Sequence, residues 1–226
     1  MPSKSTLARF RLLVVTWFRR HGRPLPWRAT RDPYRILVSE FMLQQTQVSR
    51  VEGYYDAFLS RYPTIQDLAA ARPRAVRESW EGLGYYRRAE NLHRLARAVV
   101  REQAGELPRD RDGLRALPGV GEYTAGAVMA FAHEVAEPAI DTNVSRVLRR
   151  AFHPRTGADA AGRRRLHATA KALLGRDGPR AWAMSQGIME LGALVCTARA
   201  ARCEICPARP ACATGRRGIR AASPRR

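Results

Sequence analysis

The chain has 226 residues, enough for one large domain or two small ones that bury a core without disulfide or metal staples. Hydrophobic residues make up 45% and charged residues 27%, the ordinary balance of a soluble globular protein. Lys+Arg is 40 against Asp+Glu 20, a formal net charge of +20, and only Lys4 and Lys171 are lysines. Such a surplus favours a polyanionic partner, nucleic acid before an anionic membrane, although a GC-rich coding sequence also loads a chain with Arg and Ala.

In chain order the periodicity is helical almost throughout. "LARFRLLVVTWFRRHG" puts Phe10, Leu13, Val14, Trp17 and Phe18 on one stripe and stops at Gly22 and Pro24. Arg9, Arg11 and Arg19 break this apolar patch and no membrane span or signal peptide is visible, so the expected location is cytoplasmic, with no membrane partner. "DPYRILVSEFMLQQTQVSRV" opens with Asp32 as N-cap and Pro33 at N1 and reads as one helical run. "YPTIQDLAAA" starts a helix at Thr64, with Asp67 at the capping-box position. "PRAVRESWEGLG" follows, then "YYRRAENLHRLARAVVREQAG", whose stripe is Tyr86, Leu92, Ala96, Val99 and Val100. Further helices begin near Asp141, Ala160 and Pro179, and no alternating strand or internal repeat is visible. The class is all-α.

Two motifs carry chemistry. In "LPGVGEYTAGAV" Pro118 stiffens a turn, and Gly119 and Gly121 can take φ > 0, so the chain reverses tightly between helices. The second helix then offers free N–H groups to a phosphate oxygen. All four cysteines fall within residues 196–212, spaced C-x6-C-x2-C-x5-C. Four thiolates suit a tetrahedral zinc or a [4Fe–4S] cube. Only Cys203 and Cys206 form a C-x2-C pair, and the unequal outer loops suit a bulky cluster better than one ion; disulfides rank last in a reducing compartment.

With the hairpin, the aspartate beyond it and the cysteine loop in this order, the chain resembles the helix-hairpin-helix (HhH-GPD, endonuclease III-type) DNA glycosylase superfamily. "RPLPWR", "DPYRILVSEFMLQQTQV", "GLGYYRRAENLH", "LPGVGEYTAGA", "DTNVSRVL" and "MELGALVCT" resemble its adenine-specific, MutY-like branch. The resemblance implies a six-helix barrel over about 30–138, with the helix-hairpin-helix near 114–132. It implies a cluster domain from 1–29 and 139–212, a cleft between the two, and a basic, disordered tail over 213–226. Endonuclease III-type members carry a lysine two residues after "GVG"; Tyr123 stands there, so hydrolysis by water replaces attack by a lysine.

The implied reaction is release of a flipped adenine opposite 8-oxoguanine or guanine in double-stranded DNA, by a monomer. Cutting the C1′–N bond needs a proton donor near the base and negative charge near the sugar. Glu40, inside apolar "LVSEFML", is the implied donor, since burial raises a carboxyl pKa. Asp141 is the implied carboxylate at the sugar, and also a good N-cap. Tyr123 and Asn143 are implied partners at the sugar and its attacking species. The implied adenine pocket is Arg23, Leu25, Trp27, Arg28 and Gln186, of which Leu25 and Trp27 also read as core. Gln44 and Tyr85 fill the gap in the opened stack, while Pro118, Gly119, Val120 and Gly121 clamp the DNA backbone. Cys196, Cys203, Cys206 and Cys212 hold the [4Fe–4S] cluster. Adenine-specific members normally continue into a C-terminal domain that reads 8-oxoguanine; residue 226 falls short of it, so a short form is expected. The alternatives are a thymine or uracil glycosylase acting opposite guanine, and a non-catalytic DNA-binding protein.

Overall fold

The computed structural model describes residues 1–176 and 178–217. Among the described residues the chain is helical with no strand, apart from an isolated antiparallel bridge between Cys196 and Ala201. In chain order the helices are α1 (Lys4–His21), α2 (Pro33–Leu43), α3 (Val48–Arg61), α4 (Ile65–Ala70), α5 (Pro73–Glu78), α6 (Arg87–Glu102), α7 (Arg111–Ala116), α8 (Glu122–Phe131), α9 (Thr142–Phe152), α10 (Ala160–Leu174), α11 (Gly178–Leu194) and α12 (Ala213–Arg216). None of the described helices is long and apolar enough to cross a membrane. They form two compact units, Pro24–His133 and Met1–Arg23 with Glu134–Arg226. The divisions fall at 23/24 and 133/134, where the sequence suggests 29/30 and 138/139.

In the unit Pro24–His133, α2 is the hub. Asp32 caps it by accepting from Arg35 N at 3.0 Å, with Pro33 at N1. Every residue from Ile36 to Met42 is buried, as expected of a helix apolar on all sides. It packs on α3, α6 and α8, while α4 and α5 pack on α6. Trp80 is fully buried edge-on to Phe58, with ring centroids 5.6 Å apart. Burying a side chain of that size contributes about 1.5–3 kcal/mol. Thr64 and Asp67 form the expected capping box.

Two expectations fail here. The run from Asp32 to Val51 is not one helix: Gln44 is extended and Gln45 turns through φ 56°, between α2 and α3. "QQTQ" has no apolar residue to bury, so nothing holds it helical. In α6 the buried face is Ala89, Leu92, Leu95, Ala96 and Val99, and Val100 is exposed. Val100 falls in the last turn of α6, where only its neighbour Val99 is covered.

In the other unit, α1 lays Phe10, Val14 and Phe18 against α11, which also contacts α9 and α10. Gly192 lets α11 approach α9 closely; a Cβ there would lie 2.7 Å from the Cβ of Asn143. Residues expected to open a disordered tail at 213 instead form α12, fixed to α9 by Thr214 Oγ1 donating to Arg150 O at 2.6 Å. The remainder of that expected tail, 218–226, lies outside the described residues.

His93, His133 and His153 all have pKa values lowered, in each case chiefly by burial. The unfolded chain therefore binds more protons than the folded one below a pH of about 6.5. Stability is full above that pH and is lost as pH falls through it. The urea midpoint should drop between pH 7.5 and 5.5, and His93→Gln should make that drop smaller. An unchanged pH slope in the variant removes His93 from the account.

Candidate functional site

Glu40 lies in the last turns of α2 and is 5% exposed, flanked by the buried Leu37 and Phe41. The helix places a carboxyl inside an apolar layer, and a solvent-exposed helical glutamate is excluded.

The hairpin runs from α7 to α8 through Leu117–Gly121. Gly119 takes φ 79°, and a Cβ there would lie 2.8 Å from the Asn91 Cβ and 3.1 Å from the Phe41 ring. Val120 is buried and donates its N–H to Leu117 O at 3.1 Å. Gly121, expected to share the positive φ, is instead extended (φ −96°, ψ 179°) and caps α8. Its Cβ position meets nothing within 4 Å. Tyr123 sits half-exposed in the first turn of α8, whose N–H groups have no partners within the helix. Glu122 beside it pairs with Arg111 and, at 3.2 Å, with Arg115.

In the other unit Asp141 is the N-cap of α9. Oδ1 accepts from Val144 N at 2.6 Å and Oδ2 from Asn143 Nδ2 at 2.9 Å, so capping and the pairing with Asn143 use different oxygens. Arg146 Nη2 in turn donates to Asn143 Oδ1 at 2.6 Å and to Gly192 O at 2.8 Å. Arg146 Nε donates to Cys196 O at 2.8 Å. The carboxylate is thus tied, group by group, to the cysteine loop. Sequence reading missed Arg146; only its place one turn beyond Asn143 could have suggested it.

The candidate pocket residues divide between the units. Leu25 and Trp27 are buried in Pro24–His133, with Trp27 edge-on to Tyr55 at 5.3 Å, and Arg28 ends the 3-10 turn Pro26–Arg28. Arg23 and Gln186 belong to the other unit. Gln186 is buried in α11, and Arg23 is bidentate to Glu190, Nε to Oε1 at 2.8 Å and Nη2 to Oε2 at 2.9 Å. The Arg23 N–H also donates to Oε1. Glu190 is 1% exposed and had been passed over. A lone glutamate in "GIMELGAL" is the same signal that exposed Glu40.

Cys196, Cys203, Cys206 and Cys212 line one cavity, with Arg150, Arg202 and Arg209 on its wall. All four are free thiols. Burial raises the thiol pKa of Cys203 and Cys212 and pushes that of Cys206 up to about 11. Among the described residues no group of three or more His, Cys, Asp or Glu is placed to hold a metal ion. Arg150 clasps the loop, its Nη1 donating to Thr197 O at 2.7 Å, to Cys196 O at 3.2 Å and to Cys196 Sγ at 3.4 Å.

Arg146→Gln removes the charged donors that join α9, α11 and the cysteine loop. It should destabilise the protein by roughly 1.5–3 kcal/mol in urea denaturation. A loss within about 0.5 kcal/mol, the scale of a bland surface change, contradicts this account of the joint.

Residues 38–171 match the family model for "HhH-GPD superfamily base excision DNA repair protein". The chain is 48% identical over 195 residues to an adenine DNA glycosylase of Mycolicibacterium smegmatis, covering 86% of this chain and 66% of that one. It is 41% identical to the Homo sapiens adenine DNA glycosylase over 90% of this chain and 39% of that protein. It therefore spans less than two thirds of the length of these relatives. A thymine-DNA glycosylase of Aeropyrum pernix is 35% identical over 92% of this chain and 95% of its own length. Among solved structures, a thermostable thymine-DNA glycosylase aligns with TM-score 0.85 and 30% identity over 94% of this chain and 98% of that one. A trapped endonuclease III–DNA covalent intermediate aligns with TM-score 0.78 and 26% identity over 97% of this chain and all of that one. The all-helical architecture, the Gly119 hairpin and these matches agree: the chain belongs to the HhH-GPD superfamily of base excision DNA repair proteins.

Proposed function

We propose that the chain is a monofunctional DNA glycosylase that hydrolyses the N-glycosidic bond of a flipped adenine opposite 8-oxoguanine or guanine. The observation that carries this reading is the 48% and 41% identity to adenine DNA glycosylases, against 35% to thymine-DNA glycosylases. The partner is double-stranded DNA with a mismatched pair, engaged by a single copy of the chain, as the family resemblance implies. The Gly119–Gly121 turn and the first turn of α8 take the DNA backbone.

Glu40 gives its proton to the departing adenine as the C1′–N bond breaks. Its burial in α2, beside Leu37 and Phe41, supports that assignment. Asp141, fixed by its two accepted hydrogen bonds, sets negative charge near the sugar as the cation develops. Water then adds at C1′ and gives up its proton to bulk water, with Asn143 and Tyr123 as hydrogen-bonding partners. With no lysine at 123, a Schiff-base route through that position is absent.

Arg23 and Gln186 in one unit, and Leu25, Trp27 and Arg28 in the other, are the residues this reading assigns to adenine recognition. Arg23 is held in one orientation by Glu190. Gln44 and Tyr85 occupy the gap left by the flipped base. This reading assigns the four cysteines that line one cavity to a [4Fe–4S] cluster, as the family resemblance implies, and the three wall arginines would complement its negative charge. When bound, the cluster supplies structure rather than reaction chemistry, fixing the basic loop near DNA phosphates.

A second reading, release of thymine or uracil opposite guanine, draws on the full-length match to thymine-DNA glycosylases and the TM-score of 0.85. A panel of A·8-oxoG, A·G, T·G and U·G duplexes separates the two. Adenine release is expected, and thymine release without adenine release overturns the first reading. On the adenine duplexes, Glu40→Gln and Asp141→Asn should each slow release by roughly 10²–10⁴-fold with DNA affinity retained. Near-normal turnover by either variant sinks its assignment.

Iron and acid-labile sulfide in equal amounts, with brown colour, are expected in protein purified without oxygen. Stoichiometric zinc in a colourless preparation refutes the cluster. Cys203→Ser should lose the iron and lower thermal stability.

A further inference from the structure

Arg88 stands in the first turn of α6 and is 7% exposed, an arginine within the core of its unit. Its Nη1 donates to the carbonyls of Phe41 (3.1 Å), Met42 (2.7 Å) and Gln44. Its Nη2 donates to Leu83 O at 3.2 Å and Gly84 O at 3.0 Å. Three of these carbonyls end α2 and two belong to the turn before α6. Carbonyls at a helix C-terminus have no partner within the helix and carry partial negative charge, and a buried guanidinium satisfies both conditions.

Both loops held in this way turn through left-handed backbone. Gln45 has φ 56°, Gly84 φ 72° and Tyr85 φ 48°. Side-chain residues rarely persist in that region unless their surroundings fix them. Tyr85 is 61% exposed, with its ring centroid 5.5 Å from the guanidinium carbon. One planar cation thus clamps two separate loops, and at their tips stand Gln44 and Tyr85. A lysine offers three donors on one nitrogen and cannot spread across both loops as a flat fork does.

We infer that Arg88 is a positioning residue that joins the loop after α2 and the loop before α6 into one rigid wedge, so that Gln44 and Tyr85 enter an opened base stack together. The inference rests on the reading of the chain as a base-flipping glycosylase. It assigns Arg88 to opening of the stack, a step before bond cleavage, and it acts through Tyr85 rather than on the base.

The test uses the full chain and a mismatch duplex carrying 2-aminopurine beside the target adenine. The probe brightens when its stacking is broken, and base release is followed on the same duplex under single-turnover conditions. Arg88→Lys should slow both signals by roughly 10–100-fold, the equivalent of losing a charge-assisted hydrogen bond. In a Tyr85→Ala background the same change should cost less than about twofold, because the two side chains act as a unit. Wild-type unstacking by Arg88→Lys, or an equal loss in both backgrounds, overturns the inference. If Arg88→Lys does not fold, Gly84→Ala decides, since it disturbs only the left-handed turn: slowed unstacking supports the wedge and wild-type unstacking overturns it. Should the wild-type chain release no base from any duplex, the glycosylase reading fails. The fluorescence arm still judges Arg88: brightening that Arg88→Lys abolishes supports the wedge, and no brightening in the wild type overturns both.

Discussion

A chain made of helices leaves carbonyls without partners at the end of each one, and in this protein guanidinium groups take many of them. Arg88 holds the end of α2 and the turn before α6. Arg146 holds Gly192 O and Cys196 O, and Arg150 holds the carbonyls of Cys196, Thr197 and Ala198. Among the described residues no sheet ladder organises the loops, and these cations do the joining. Part of the arginine surplus therefore has an internal use, and net charge alone overstates how much of it faces a polyanion.

The same joints order the candidate chemistry. Asp141 is fixed by its cap and by Asn143, and Asn143 by Arg146, whose other donors reach the cysteine loop. A carboxylate held by several donors at once need not reorganise as charge develops beside it, which is where electrostatic stabilisation gains most. Glu40 differs, buried in α2 beside Leu37 and Phe41. The proposed reaction assigns the proton to Glu40 and the negative charge near the sugar to Asp141.

How much of this was legible in the sequence depends on the range of the interaction. The caps at Asp32, Thr64 and Asp141 were readable because a cap is decided within three or four residues. The buried Glu40 was readable because its neighbours, Ser39 apart, are apolar. The break at Gln44–Gln45 was lost because a short polar stretch continues helical periodicity on paper while having nothing to pack against. Arg88 and Arg146 stayed hidden for a different reason. Their distant partners Met42 and Cys196 lie 46 and 50 positions away, and an arginine in an arginine-rich chain carries no local mark of burial.

The two glycines of the hairpin are needed by different parties. At Gly119 the interior decides, since the backbone is left-handed and Asn91 and Phe41 close off the space a side chain would fill. At Gly121 the backbone is extended and the space around the absent Cβ is open, so serine, itself a good N-cap, would fit as well as glycine does. One turn thus carries two separable specifications, a steric one at its first glycine and, at its second, an open cap that in the proposed reading leaves clearance for a DNA backbone.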